Sequence, residues 1–339
     1  MMDGQNWDRF FGITDIVNEP MTIVLASFAV GILLLGTCVI AGISVTRVGN
    51  DQLRSELWRR MRAWWVLGFV IGGVILLGPL MTILGMLILG VLCHAEFARA
   101  TGLFREKLMS GSVVFCLILM SLAILDNWYN FFAALPGLCL VAIAMAAVLQ
   151  NRTEGFLQRY ALAAVSLMLF GYGLGHLSYW ANESGYRAVL LLVVLCVELN
   201  DVFAFTCGKL FGKRKLIVNV SPNKTIGGAA GALLLTSLLF VLLGRKVFEG
   251  MNVGSWFHLL ILGILISIAG QMGDLFISAI KRDIGVKDMG AILPGHGGIL
   301  DRFDSLVLIG PVLSHYVWYF DKVDRETGIR ILTGGLLGG

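Results

Sequence analysis

Long apolar stretches separated by short polar segments dominate the chain. A helix needs about 20 apolar residues to cross the hydrocarbon core of a bilayer. The apolar stretches predict about ten such helices, so the expected fold class is all-α: a polytopic integral membrane protein. The predicted spans are residues 21–43, 64–79, 80–98, 111–126, 131–149, 159–181, 186–206, 226–244, 256–280 and 298–320.

The second and third spans form one continuous apolar run, and their separation rests on a short turn signal. The run is interrupted at "LLGPLM", which contains Pro79. Proline removes a backbone donor and disfavours continuation of a helix, so the pattern predicts a tight reversal at this point.

The distribution of lysine and arginine supports the division into ten spans. If both chain ends lie outside the cell, most of the 26 basic residues fall in segments on the cytosolic side. This excess agrees with the positive-inside rule. Merging residues 64–98 into one span would place the basic segments of the two halves on opposite faces.

The composition agrees with a membrane protein. The chain is 57% hydrophobic and 14% charged, and its mean hydropathy is +0.83, whereas soluble proteins carry about a quarter of their residues as charged types. The net charge of +4 does not indicate a nucleic-acid partner.

The six cysteines lack disulfide or zinc-site spacing, and the acidic first residues lack the basic start of a signal peptide. We therefore expect the first apolar run to remain as an anchor.

The chain divides softly near residue 185, because the polar loops become longer and more charged after it. We expect an extracytoplasmic segment at 1–20 and plain transmembrane helices at 21–185. A catalytic transmembrane region with polar cytosolic loops follows at 186–320, and a tail at 321–339.

The first polar segment spans residues 198–228 and begins inside an apolar helix with Glu198, Asn200 and Asp201. Ionisable side chains at membrane depth are costly and are usually functional or paired. The sequence "SPNKT" then brings Ser221 and Lys224 to the start of a helix, where backbone amides can bind a phosphate. A plain helix-capping role explains this motif about as well as phosphate binding does.

The second polar segment, "GQMGDLFISAIKRDIGVKDMGAILPGHGGILDRFDS", concentrates acids, bases and glycines. Asp301 and Asp304 are three residues apart and would share a helix face. Carboxylates without cysteine suit Mg²⁺, which binds through one or two carboxylates plus substrate phosphates. A web of structural ion pairs is the alternative, but the gathering of both charge signs beside glycines favours a metal–phosphate site. His296 could shuttle protons or contact phosphate, or it could shape the turn.

These residues resemble the signature of the phosphatidate cytidylyltransferases, also called CDP-diacylglycerol synthases. "HAEFARATG" at 94–102, "NDVFAF" and "GKLFG" within 200–212, and the pair Gly273–Asp274 are also similar to that family. The resemblance covers most of the chain and is strongest after residue 195. The matching positions of the signature are Ser278, Lys281, Arg282, Lys287, Asp288, Pro294, His296, Gly297, Gly298, Asp301, Arg302 and Asp304.

The resemblance implies an enzyme of the inner (cytoplasmic) membrane that makes CDP-diacylglycerol and pyrophosphate from CTP and phosphatidic acid, with Mg²⁺ as cofactor and its active site facing the cytosol. Membrane lipids are further expected partners, and no nucleic-acid partner is expected. Whether two copies of the chain form a homodimer stays open. The catalytic candidates are Asp274, Asp301, Lys281, Arg282 and His296. The substrate-binding candidates are Ser221, Lys224, Lys287, Arg302, Asn200 and Asp201. The metal-ligand candidates are Asp274, Asp301, Asp304 and Asp288.

One departure from the family pattern concerns the first segment. The family usually has "SPKKTxEG", whereas this chain has "SPNKTIGG", so Gly227 replaces an acidic residue and Asn223 a lysine. This difference indicates a divergent paralogue with altered lipid preference or weakened activity. If the loss is a handicap, Gly227→Glu should raise activity. A protein that binds or transports an anionic lipid is the alternative function.

Overall fold

The computed structural model describes residues 16, 18–46, 50–290, 297–321, 330 and 332–333. Most of these residues are helical, and one two-stranded antiparallel hairpin accompanies the helices. The α-helices are α1 (Pro20–Val45), α2 (Asp51–Leu76), α3 (Pro79–Thr101), α4 (Lys107–Leu125), α5 (Tyr129–Leu149), α6 (Phe156–Ser166), α7 (Leu174–Tyr179), α8 (Tyr186–Phe211), α9 (Ile226–Val247), α10 (Trp256–Asp283), α11 (Leu300–Phe303) and α12 (Ile309–Asp321), and the strands are β1 (Lys215–Ile217) and β2 (Ser221–Thr225).

Within the described residues, eight helical stretches are long and apolar enough to cross a membrane. They are α1, α3, α4, α5, α8, α9, α10 and the stretch Phe156–Asn182, in which the π-helix Leu167–Gly173 joins α6 to α7. These eight correspond to eight of the ten predicted spans, and the chain is a nearly all-α polytopic membrane protein.

The other two predicted spans differ from the structure. The span 64–79 is the apolar second half of α2, whose first half contains four arginines, so the apolar part alone falls short of a full crossing. The span 298–320 is not continuous, because turns at 304–308 separate α11 from α12. The 13 residues of α12 extend over about 20 Å, less than the thickness of the hydrocarbon core.

The break between α2 and α3 confirms the predicted reversal. Gly78 has φ 124°, a backbone conformation that an L side chain rarely adopts, and Pro79 begins the next helix. The Thr82 hydroxyl donates to the carbonyl oxygens of Gly78 (3.0 Å) and Val74 (3.2 Å), so it fastens the start of α3 to the end of α2.

Polar contacts place the loops at two opposite ends of the helix bundle. At one end, Arg187 donates to Glu19 (2.9 Å), and the Asp321 carboxylate accepts from the Asn252 amide (2.6 Å). At the other end, Glu106 pairs with Arg159 (3.4 Å). Helices α8, α9 and α10 pack side by side, and their connections bring both polar segments to this second end. The proposed domain boundary near residue 185 stays a prediction.

Candidate functional site

A polar stripe runs along one face of the last turns of α10, a helix that is otherwise mostly apolar. Asp274, Ser278 and Lys281 follow one another at intervals of four and three residues, which places them on the same face. The Ser278 hydroxyl donates to Asp274 Oδ1 (3.2 Å). Ser278 and Lys281 are buried. Because isolated charges are costly at such a position, Asp274 and Lys281 each require an oppositely charged partner from elsewhere in the chain.

Lys224 supplies the partner for Asp274. Its ammonium nitrogen lies 2.5 Å from Asp274 Oδ2, and both side chains are about one-fifth exposed. The β1–β2 hairpin carries Lys224 toward α10, and the Thr225 hydroxyl caps α9 by accepting from the Gly228 amide (3.1 Å). The motif "SPNKT" is therefore a strand that ends in a helix cap, and its lysine is directed at the polar stripe.

Asp301 supplies the partner for Lys281. The Lys281 ammonium donates to Asp301 Oδ1 (2.8 Å), and their side chains are only 10% and 5% exposed. Asp301 Oδ2 accepts from the backbone amides of Met289 and Gly298, both at 2.9 Å. The carboxylate therefore connects α10 to the backbone on both sides of residues 290–297.

Three further charged side chains lie within electrostatic range of this stripe. Asp201 on α8 interacts with the charges of Asp274, Lys224 and Arg302. Asp304 interacts with Asp274, Lys281, Asp201 and Asp301. The structure thus brings Asp274 and Asp301 together at the same end of the bundle as Lys224.

The donor chemistry of this cluster fits Mg²⁺, since the clustered acids are hard oxygen donors. Among the described residues, no three His, Cys, Asp or Glu side chains are arranged around a single point. Magnesium does not require such a cage, because it usually binds one or two carboxylates, substrate phosphates and water. Asp274 and the nearby Asp201 and Asp304 suit that pattern. Both oxygens of Asp301 already accept hydrogen bonds, so its assignment as a metal ligand stays a prediction.

The remaining predicted residues lie around the edge of the cluster or away from it. Arg282 is exposed and donates to the Val286 carbonyl oxygen (3.2 Å). Lys287 and Asp288 are exposed, and Ser221 is half-buried at the start of β2. His296 lies outside the described residues, so its role stays a prediction.

Asn200 occupies a helix contact rather than the cluster. It is 1% exposed, and its Oδ1 accepts from the hydroxyls of Thr236 (3.0 Å) and Ser267 (2.7 Å). These bonds join α8, α9 and α10 inside the bundle. The position gives Asn200 a packing role, and its contact with substrate stays a prediction.

Gly227 lies where α9 approaches the end of α8 most closely. A Cβ atom at residue 227 would lie 2.8 Å from the Phe211 carbonyl oxygen and 3.3 Å from the Gly212 Cα. Backbone atoms cannot yield as a flexible side chain can, so this chain has no room for the acidic residue of the family pattern. The packing predicts a steric cost for Gly227→Glu, and the expectation that this substitution raises activity stays a prediction.

Glu96 is a site residue that the sequence analysis did not single out. It lies on α3, is 1% exposed, and accepts from the Ile299 and Leu300 amides next to Asp301. A carboxylate within an apolar span was the available signal, the same one that marked Glu198. Glu96 also belongs to the motif "HAEFARATG" at 94–102 that carries part of the resemblance.

Comparisons with known proteins agree with these observations. A model of the cytidylyltransferase family matches residues 58–320. The phosphatidate cytidylyltransferase of Staphylococcus saprophyticus is 42% identical over 175 residues, and that of Staphylococcus haemolyticus is 43% identical over the same length. Each match covers 51% of this chain and 66% of the relative. An uncharacterized Escherichia coli protein, YnbB, is 30% identical over 276 residues, which cover 79% of this chain and 90% of YnbB.

Proposed function

The chain belongs to the cytidylyltransferase family, and we propose that it is an enzyme that transfers the cytidylyl group of CTP to phosphatidic acid. The products would be CDP-diacylglycerol and pyrophosphate. One observation carries this proposal: the ion pairs Lys224–Asp274 and Lys281–Asp301 join both polar segments along one face of α10. The names of the Staphylococcus relatives support the same substrate class.

The reaction needs little covalent chemistry from the protein. A phosphate oxygen of phosphatidic acid attacks the α-phosphorus of CTP and forms the new P–O bond. The bond from the α-phosphorus to the oxygen that bridges to the β-phosphate breaks, and pyrophosphate leaves with that electron pair. Two anions must therefore be held together while charge builds up on the transferred phosphorus and the leaving group.

The cationic side chains are suited to this task. Lys224 and Lys281 are each paired with a carboxylate, so their ammonium groups are held in position before substrate arrives. Arg302 adds a positive charge within range of Asp201, and the exposed Arg282 and Lys287 can meet phosphates from the aqueous side. Mg²⁺ held by Asp274 with Asp304 or Asp201 would neutralise the phosphates of CTP.

The position of Asp201 supports access from the lipid phase. Asp201 is exposed although it lies on the membrane-spanning helix α8. Its neighbours Val202 and Phe205 are 50% and 63% exposed, as expected for side chains that face lipid. A polar cleft bordered by apolar surface would admit a phosphate head group while the acyl chains stay in the bilayer.

We further propose that the enzyme lies in the cytoplasmic membrane with this end of the bundle toward the cytosol. The basic residues of the two polar segments lie at this end, and positive charge is concentrated on the cytosolic side of membrane proteins. Soluble CTP would then meet the cluster directly.

A divergent lipid preference is the second candidate, and Gly227 favours it. The acid of the family pattern is absent here, and the backbone of Phe211 leaves no space for it. A phosphorylated lipid other than phosphatidic acid would then be the better acceptor of the cytidylyl group. An anionic-lipid binding or transport protein is the third candidate.

The test is release of pyrophosphate by the purified full chain supplied with CTP, Mg²⁺ and phosphatidic acid in mixed micelles. We expect release that depends on both the nucleotide and the lipid phosphate, with CDP-diacylglycerol as the lipid product. Diacylglycerol in place of phosphatidic acid is the negative control. A panel of other phosphorylated lipids separates the first two candidates. Binding of anionic lipid without any release would favour the third.

A further inference from the structure

Glu96 is a buried carboxylate that accepts hydrogen bonds from backbone amides of the described residues. It lies on the last turns of α3 and is 1% exposed. Its Oε1 accepts from the Ile299 amide (3.0 Å), and its Oε2 accepts from the Leu300 amide (2.8 Å). No cationic side chain pairs with Glu96 within the parts of the chain that the structure covers. The hydrogen bonds to Glu96 therefore come from a segment more than 200 residues away in the chain.

Two glycines make room for this carboxylate. A Cβ atom at Gly290 would lie 2.4 Å from Glu96 Oε1, and a Cβ atom at Gly298 would lie 2.3 Å from Oε2. Any larger residue at either position would displace the carboxylate. The carboxylate thus fits closely between the backbone on both sides of residues 291–296.

Glu96 acts on the same backbone as Asp301. Asp301 accepts from the amides of Met289 and Gly298, while Glu96 accepts from the next two amides, those of Ile299 and Leu300. The two carboxylates therefore satisfy four amides around a short stretch of chain. This stretch leads directly into α11 and the turn after it, which carry Asp301, Arg302 and Asp304.

We infer that Glu96 is a positioning residue for the transfer reaction: it holds residues 298–300 so that Asp301 stays paired with Lys281 and Arg302 and Asp304 keep their places in the cluster. The inference rests on the proposed function. The inference gives the amino-terminal helices a definite role. Within the part of the chain that the structure describes, these helices place no other charged side chain in the cluster. Glu96 does not touch the stripe on α10 itself and acts through the backbone.

The role requires a carboxylate rather than a polar side chain of the same size. Glutamine at this position would keep the volume but replace one acceptor oxygen with an NH₂ group. That group would face an amide N–H, so one of the two amides would be left without an acceptor. Aspartate would keep both acceptor oxygens but place them one methylene farther from the amides. Its effect should therefore be intermediate between those of glutamate and glutamine.

The first test follows the backbone directly, by hydrogen exchange on the full chain in detergent micelles. Peptides that contain residues 297–303 should exchange about tenfold faster in Glu96→Gln than in the wild type, because a protecting hydrogen bond is lost. Glu96→Asp should fall between the two. Glu106→Gln is the matched control: Glu106 lies at the same end of the bundle, is partly buried and pairs with Arg159, yet does not contact this segment.

The second test measures kinetics with CTP and phosphatidic acid. In Glu96→Gln, kcat should fall by about tenfold to a hundredfold while KM for CTP changes by less than about threefold, as expected for an effect on the transition state. Glu96→Asp should recover part of the loss, and Glu106→Gln should equal the wild type. If Glu96→Gln does not fold, Glu96→Asp takes its place in both tests.

The outcomes separate the two proposals. Unchanged exchange at 297–303, unchanged kcat, or a loss confined to KM would overturn the role of Glu96. A folded wild-type chain that transfers no cytidylyl group to any phosphorylated lipid would overturn the proposed function and with it the kinetic part of the inference. The exchange result would still decide whether Glu96 holds this segment.

Discussion

Lys281 and Asp301 are 20 residues apart in the chain, and their side chains meet at 2.8 Å in a nearly buried ion pair. The aspartate also accepts from two backbone amides, so it has no free oxygen in this arrangement. The pair therefore has two functions that can be separated. It neutralises a buried lysine, and it fixes the backbone from which the other charged side chains project.

Asp301→Asn should lower kcat by at least about a hundredfold, because the charge that places Lys281 is lost. It should also lower the free energy of unfolding by about 3 kcal/mol, since the lysine is left buried without a counter-charge. The double variant Lys281→Met/Asp301→Asn should regain most of the stability but none of the activity. Thermal unfolding in detergent and the pyrophosphate assay measure the two effects. Near-normal turnover of the single variant would remove Asp301 from the site.

Lys224→Met should raise KM for CTP by about tenfold or more, because the ammonium that we propose as a phosphate contact is removed while Asp274 stays in place. The matched control is Lys246→Met. Lys246 is exposed, pairs with Glu249 and lies at the opposite end of α9, so its replacement should leave KM unchanged. Equal behaviour of the two variants would contradict a phosphate contact for Lys224.

Gly227→Ala and Gly227→Glu should each lower the melting temperature, and the glutamate variant should lose more. A side chain at residue 227 meets the Phe211 carbonyl oxygen, and crowding of this kind costs about 1–3 kcal/mol. Gly111→Ala is the control, since a Cβ atom there meets nothing within 4 Å and alanine favours the helix. A glutamate variant with wild-type stability and higher activity would show that α8 and α9 can separate here.

Removal of divalent cations should abolish pyrophosphate release, and added Mg²⁺ should restore it. In Asp274→Asn, the Mg²⁺ concentration for half-maximal rate should rise by about tenfold, because one charged oxygen donor is lost. Asp321→Asn is the control, since Asp321 lies at the opposite end of the bundle and accepts from the Asn252 and Val253 amides. Activity that persists in excess chelator would exclude a required cation.

Much of the architecture could be predicted from the sequence. The thickness of the bilayer fixes the length of a spanning helix, so apolar runs alone located the eight long helices. The break at Gly78–Pro79 follows from local backbone preferences. Asp274 and Ser278 fall within the predicted span 256–280, and the resemblance indicated the chemistry of the polar segment that follows. The prediction that residues 298–320 form one continuous span was wrong, because the apolar composition of this segment gives no signal for the turns at 304–308.

The partners of these residues depended on the tertiary structure. Glu96 contacts an amide 203 residues further along the chain, and Lys224 reaches Asp274 only because the hairpin folds back onto α10. The steric limit at Gly227 comes from a backbone carbonyl of another helix. Hydropathy and periodicity describe residues within a few helical turns of one another. They contain no information about the distance between segments that are far apart in the chain. The sequence therefore determined which helices form and which faces are polar, whereas helix packing decided which charges meet.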